Sequence, residues 1–194
     1  MPKQGAIFEN PVSKEKVIFL ETSASTNGAL LRMEAFGLAN GFNRIDHIHP
    51  SQQERHEVLA GQMGVTIAGK EYILNPHESI TFEKNVPHKF WNVSGADLHF
   101  ITEFRPAYDT EGFIETYFAA ARTGKVNQKG QPPLLHFFVM LQRYPIAGYA
   151  ADFPIFLQKA LISVLACIGK IFGYKGSLTY PIAERAKSRV FESV

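Results

Sequence analysis

Apolar and polar positions follow two different rhythms along the chain, and the change falls near Arg105-Pro106. Before it, short β-prone runs such as KVIFL (16–20), VTIAG (65–69), SITF (79–82) and LHFITEF (98–104) are separated by turn signals. Asn40-Gly41, Gly61 to Gly64, Gly69-Lys70, Asn75-Pro76 and Ser94-Gly95 recur roughly every ten residues, the spacing of an all-β sandwich or barrel. After it, Phe113, Ile114, Tyr117, Phe118 and Ala121 keep the 3–4 spacing of an amphipathic helix, with Gly124 as its stop. A polar loop, KVNQKGQPP, leads to a short apolar segment, LLHFFVMLQRY, that ends at Pro145. A longer helix is expected from about Asp152, as N-cap, to Gly173. The expected organisation is therefore a β domain over residues 1–106 and a helical extension over 107–194.

Within ALISVLACIG (160–169), Lys159, Ser163 and Lys170 share one helical face and leave the rest apolar. Ten residues are half of what a membrane span needs. This helix is expected to bury itself against the barrel or a second subunit, which makes a homodimer the expected assembly and membrane attachment the weaker reading. Deleting 107–194 should then cause dissociation or aggregation while the β domain keeps its site.

Composition narrows the function classes. The formal charge is +2 and basic residues form no run with interleaved aromatics, so nucleic acid is not an expected partner. Cys167 is the single cysteine, which excludes an intrachain disulfide and any paired-thiolate metal motif. Its apolar neighbours predict a buried, inert thiol. The N-terminal stretch MPKQGAIFENPVSKEK has no apolar signal core, so the expected compartment is the cytoplasm.

The chemistry concentrates in GFNRIDHIHPSQQERHEVLAG. His47 and His49 stand two apart, so one strand would aim both rings to the same side. Glu54 follows after a Pro50-Ser51 turn, and His88 lies further on in VPHKFWN. Three imidazoles and a carboxylate suit one divalent transition metal: Zn, Fe, Mn, Ni or Cu. His56 shares strand parity with Glu54. It is a candidate catalytic acid/base, a partner orienting Glu54, or a histidine bonded within the barrel wall. Phe90 shares parity with His88, and Met33, Phe82 and Phe90 are the expected lining of a substrate pocket. Arg55 and Lys89 are out of phase and should point outward. Gln52 and Gln53 are expected to be solvated in the turn. His77, in a turn, and His136, on a helix, are not expected ligands.

From Gly41 to Gly61 the chain matches the first cupin motif, G-x5-H-x-H-x(3,4)-E-x6-G, at every specified position. The second motif is met in part. Its H-x3-N portion is His88 to Asn92 and Pro76 supplies its proline, but Glu78 stands at the usual glycine. Over about residues 25–105 the chain thus resembles the cupins. The resemblance implies a mainly β jelly-roll barrel, with His47, His49, Glu54 and His88 as metal ligands. Among cupins such a site is similar to those of dioxygenases, decarboxylases and sugar-phosphate isomerases. An apolar wall favours a dioxygenase-like activity of the quercetinase type on a small, largely apolar molecule. The alternatives are a non-catalytic metal-binding or sensing module and a metal-dependent isomerase or decarboxylase.

Overall fold

Strand residues alternate between a core face and an outer face, and the longest strands show this period clearly. In β3 (Leu31–Gly37), Leu31, Met33 and Ala35 are buried, and in β5 (Gln53–Ala60) it is Glu54, His56 and Val58. The computed structural model describes residues 2–37, 45–93 and 95–181. Asn40, Gly41 and Ser94, invoked above for turns or motif, lie outside them.

The described strands form two antiparallel sheets. The first contains β1 (Ile7–Glu9), β2 (Lys16–Glu21), β3, β10 (Leu98–Arg105), β5 and β8 (Ser79–Phe82), in that spatial order. The second contains β11 (Tyr149–Ala150), β4 (His47–Ile48), β9 (His88–Asn92), β6 (Met63–Ile67) and β7 (Lys70–Leu74). Consecutive strands β4 and β5 lie in different sheets, so the order is that of a two-sheet jelly roll rather than a meander. A single apolar core joins the sheets: Phe19, Leu31, Met33, Phe82 and Phe100 from the first pack with Met63, Val65 and Leu74 from the second. The mainly β fold with C-terminal helices is the architecture expected from the sequence.

The turn signal at Gly69-Lys70 is met, but the run VTIAG ends earlier than expected: Ala68 and Gly69 form the β6–β7 turn with φ of 47° and 81°. Gly64 is inside β6, not in a turn. It sits opposite Trp91, whose indole occupies the space a Cβ would take, so only glycine lets the ring lie there.

The helical half comprises α1 (Thr110–Arg122), α2 (Leu134–Arg143) and α3 (Ile155–Ile171). Gly124, with φ of 73°, ends α1 as its spacing predicts. Helix α3 starts after Pro154, because a proline is well tolerated only before or within the first turn; Asp152 lies in the preceding turn and is not the N-cap. Ile162, Ala166 and Gly169 pack α3 onto α2, where a Cβ at 169 would come within 2.6 Å of Val139. The remaining face of α3 is exposed in the single chain, so of the two expected modes of burial it does not pack on the barrel, and Cys167 is exposed with it. Among the described residues no helix is long and apolar enough to cross a membrane.

The two halves are tied together. Strand β11 pairs with β4, and the Gln52 amide nitrogen lies 2.7 Å from the Pro106 carbonyl and 2.8 Å from Thr110 Oγ1. Gln52 is therefore buried, not solvated: the carbonyls at the sheet-to-helix junction need a donor, and no local pattern announces that need.

Candidate metal centre

His47, His49, Glu54 and His88 each offer one ligand atom, and these atoms all lie within 4.8 Å of one another. The jelly roll brings them together from both sheets. His47 and His88 face each other across the β4–β9 pair, and His49 follows one residue beyond β4. Glu54 arrives from β5 in the opposing sheet. Its Oε2 lies 3.2 Å from His49 Nε2, 3.2 Å from His88 Nε2 and 3.9 Å from His47 Nε2. Ligands bonded to one ion at about 2.1 Å stand roughly 3.0–3.4 Å apart when adjacent, so His49 and His88 stand at ion-sharing distance from Glu54 while His47 lies somewhat wider.

The far side of each ring decides its tautomer. Nδ1 of His47 lies 3.0 Å from the Ile45 carbonyl, that of His49 3.2 Å from Ile146, and that of His88 2.8 Å from Val86. A carbonyl only accepts, so each Nδ1 carries the proton and donates it. Each neutral ring then turns the lone pair of Nε2 inward, toward a carboxylate that is itself acceptor-only. Lone pairs facing a carboxylate at 3.2 Å repel unless a cation lies among them. In the absence of metal that cation is a proton, and otherwise it is the ion the donors suit.

The titration properties agree. Burial alone would raise the Glu54 carboxyl, but the charge of His56 and the imidazoles of His49 and His88 hold it well below its ordinary range. Burial pushes His49 down, but its hydrogen bond and charge attraction to Glu54 prevail and raise it. His47 is lowered to about 4, first by burial and then by the neighbouring His88 and His49, against the pull of Glu54.

These shifts give a pH prediction for chelator-treated protein. Between pH 6.5 and 4 the unfolded chain protonates His47 before the folded one, so stability falls as pH drops through this window. The loss approaches on the order of 3 kcal/mol. The stabilisation from His49 is complete below 6.5 and that from Glu54 is lost only below about 4.5, so neither masks the slope. Thermal midpoints measured from pH 7 to 4 should fall in the wild type and flatten in His47→Asn. Equal slopes in the two proteins would contradict the burial of His47.

His56 is almost fully buried, with Nε2 3.1 Å from Glu54 Oε1, the carboxylate oxygen turned away from the three rings. Phe82, Phe90 and Phe100 surround it edge-on, with ring centroids 5.4, 4.5 and 5.2 Å away. Phe82 also stacks on His88 at 4.3 Å. Met33 lies on the inward face two strands over, in register with Thr102, which is in turn in register with His56. Phe82, Phe90 and Met33 are thus part of one apolar region beneath the cluster. Solvent reaches the ligands mainly along His47, whose side chain is 17% exposed against 6% or less for the others.

The other charged and imidazole groups sit apart from the cluster. Arg55 pairs with Glu57 at 2.9 Å, and Lys89 with Asp46 at 3.1 Å. His99 pairs with Glu34. His77 is exposed, and His136 bonds the Lys175 carbonyl.

Two residues of the site have no counterpart in the sequence reading. The Ile146 carbonyl, 97 positions from His49, holds that ring. Gly148, with φ of 106°, brings the backbone so close that a Cβ would sit 3.2 Å from the ring. Both belong to the strap that precedes β11. Removing residues 107–194 would take both contacts away from His49, so a truncated chain with unchanged metal affinity would show that the ring is held without them. The glycine before a short apolar run was the available signal, but nothing local connects it to His49.

Comparison with known proteins agrees with this geometry. Residues 36–103 match the cupin-domain family model. An oxidoreductase from Arthrobotrys oligospora is 29% identical over 108 residues, a match covering 49% of this chain and 42% of that relative. Among solved structures, KdgF from Halomonas sp. is 14% identical with a TM-score of 0.47, covering 54% of this chain and 91% of that one. A RmlC-like cupin from Shewanella frigidimarina is 18% identical with a TM-score of 0.46, covering 57% and 93%. A predicted oxalate decarboxylase from Thermotoga maritima is 19% identical with a TM-score of 0.42, covering 47% and 80%. The family match spans the strands that carry all four cluster residues, so residues 36–103 of this chain match the cupin domain, about a third of its length.

Proposed function

We propose that the protein binds one divalent transition metal through His47, His49, Glu54 and His88 and uses it in a dioxygenase-like reaction on a small, largely apolar molecule. The observation that carries the metal reading is the anchoring of three Nδ1 atoms to backbone carbonyls, which turns three Nε2 lone pairs and a buried carboxylate onto one point. Four protein ligands leave one or two positions on a five- or six-coordinate ion, and the bound ion would supply Lewis acidity or redox chemistry there.

The substrate class follows from the wall. The half-buried Phe90 lies near the cluster, with Phe82 packed in the core behind it, while Arg55 and Lys89 are engaged elsewhere, so the surroundings offer an anionic sugar phosphate little. The name of the Arthrobotrys oligospora relative supports a redox reaction in the same direction. His56 Nε2 lies 3.1 Å from the other oxygen of Glu54, in ion-pair contact though outside hydrogen-bond geometry, and through that contact helps to aim the carboxylate with Oε2 inward.

The test is oxygen consumption by protein loaded separately with iron, copper or nickel, in the presence of flavonols and other aromatic enols. Substrate-dependent uptake with one metal supports the enzyme. Tight ligand binding without uptake under every metal points to the sensing module and overturns the catalytic reading. His56→Ala should keep its metal and lose at least about tenfold in uptake, since a group that orients a ligand typically contributes that much. Full activity in that variant would leave His56 as wall alone.

A further inference from the structure

The outer face of α3 has a regularity that folding of a single chain does not require. Leu157, Leu161, Val164, Ile168 and Ile171 follow one another at intervals of four, three, four and three residues, the heptad seam of a helix that packs along another helix. The face that packs on α2, marked by Ile162, Ala166 and Gly169, lies roughly 140° around the axis, so the seam is not shared with it. Its five residues are 38–80% exposed, Phe172 extends the patch at 71%, and Phe156, equally exposed, lies about 100° around the axis beside the polar stripe.

At roughly 150–250 Å² per large side chain, the patch amounts to on the order of 700 Å², above what monomeric proteins usually leave open and close to the roughly 800 Å² that each partner gives to a stable complex. No acidic residue occurs in α3, and its lysines, Lys159 and Lys170, lie on another face. The seam itself is uncharged. Its only requirement is a second apolar seam of the same length, which another copy of this chain presents.

We infer that α3 pairs with α3 of a second copy across a two-fold axis, burying the Leu157–Ile171 seam in a helix-to-helix dimer interface. The uncharged seam and the narrow polar stripe favour this partner over a membrane surface, which is bound by helices with a strongly charged opposite face. Cys167 flanks the seam without being part of it and is the only cysteine, which makes it a natural probe.

The full chain should sediment at twice its 21.7 kDa mass, and L161E/I168E should sediment as a monomer with unchanged far-ultraviolet circular dichroism and metal uptake. Spin labels on Cys167 of the wild-type chain should lie less than about 30 Å apart, as two antiparallel helices with axes 8–10 Å apart require. This distance decides the matter if the double variant fails to fold. A monomeric wild type, a dimer that survives the double substitution intact, or labels well beyond that distance would overturn the interface. Flotation of a monomeric protein with phosphatidylcholine–phosphatidylglycerol vesicles (4:1) would overturn it in favour of a lipid surface.

Discussion

His49→Ala should purify folded but with less than about a tenth of the wild-type metal content, and titration of the chelator-treated protein should show affinity weakened by a hundredfold or more. Loss of a supporting contact alone typically costs 10–100-fold, and His49 supplies a direct donor. Its ring is 5% exposed, its Nδ1 is spent on the Ile146 carbonyl and its Nε2 faces Glu54 at 3.2 Å, so no neighbouring side chain can take its place. The substitution also removes the imidazole that pairs with Glu54, leaving a buried carboxylate with fewer partners. Elemental analysis of both proteins, purified in parallel without chelator, measures the effect. An unchanged metal-to-protein ratio would remove His49 from the ligand set and with it the proposed centre.

Phe82→Ala should cost about 3–5 kcal/mol, the usual range for a phenylalanine lost from a close-packed core. Phe82 is fully buried and belongs to the core that joins the two sheets. At roughly 2–4 °C per kcal/mol for a domain of this size, the thermal midpoint should drop by some 6–20 °C. The same ring stacks on His88, so the variant should also bind metal less tightly even where it remains folded. Denaturant titration gives the first number and metal titration the second. A loss of stability with fully retained affinity would mean that His88 is held by Val86 and Glu54 without help from the stack.

The sheet strands were legible because their period is local. The run SITF is β8, KVIFL is β2 short of one residue, and LHFITEF is β10 short of one residue. The parity argument that put His56 on the side of Glu54 and Arg55 on the other needs only the alternation of one strand. Helix α1 was legible for the same reason. The start of α3 was not, because Pro154 outweighs the capping tendency of Asp152. Gln52 and Cys167 were misjudged together and in opposite senses. A glutamine beside a turn looks solvated until the carbonyls it serves are known. A cysteine among apolar neighbours looks buried until the helix proves to have only one packed face.

By itself the sequence indicated the change of period near residue 106, the side on which each strand residue points, and, through the two motifs, four candidate ligand side chains. The first two follow from spacing along a few consecutive residues, and the last from the match to a known pattern. The tertiary structure decided what no short window contains: that His47 and Glu54 meet from opposing sheets, that the Ile146 carbonyl and Gly148 reach back across some hundred positions to His49, and that among the described residues one face of α3 stays uncovered. The reason is physical. Backbone geometry sets the direction of a side chain locally, whereas its partner depends on which distant segments the packed core brings alongside.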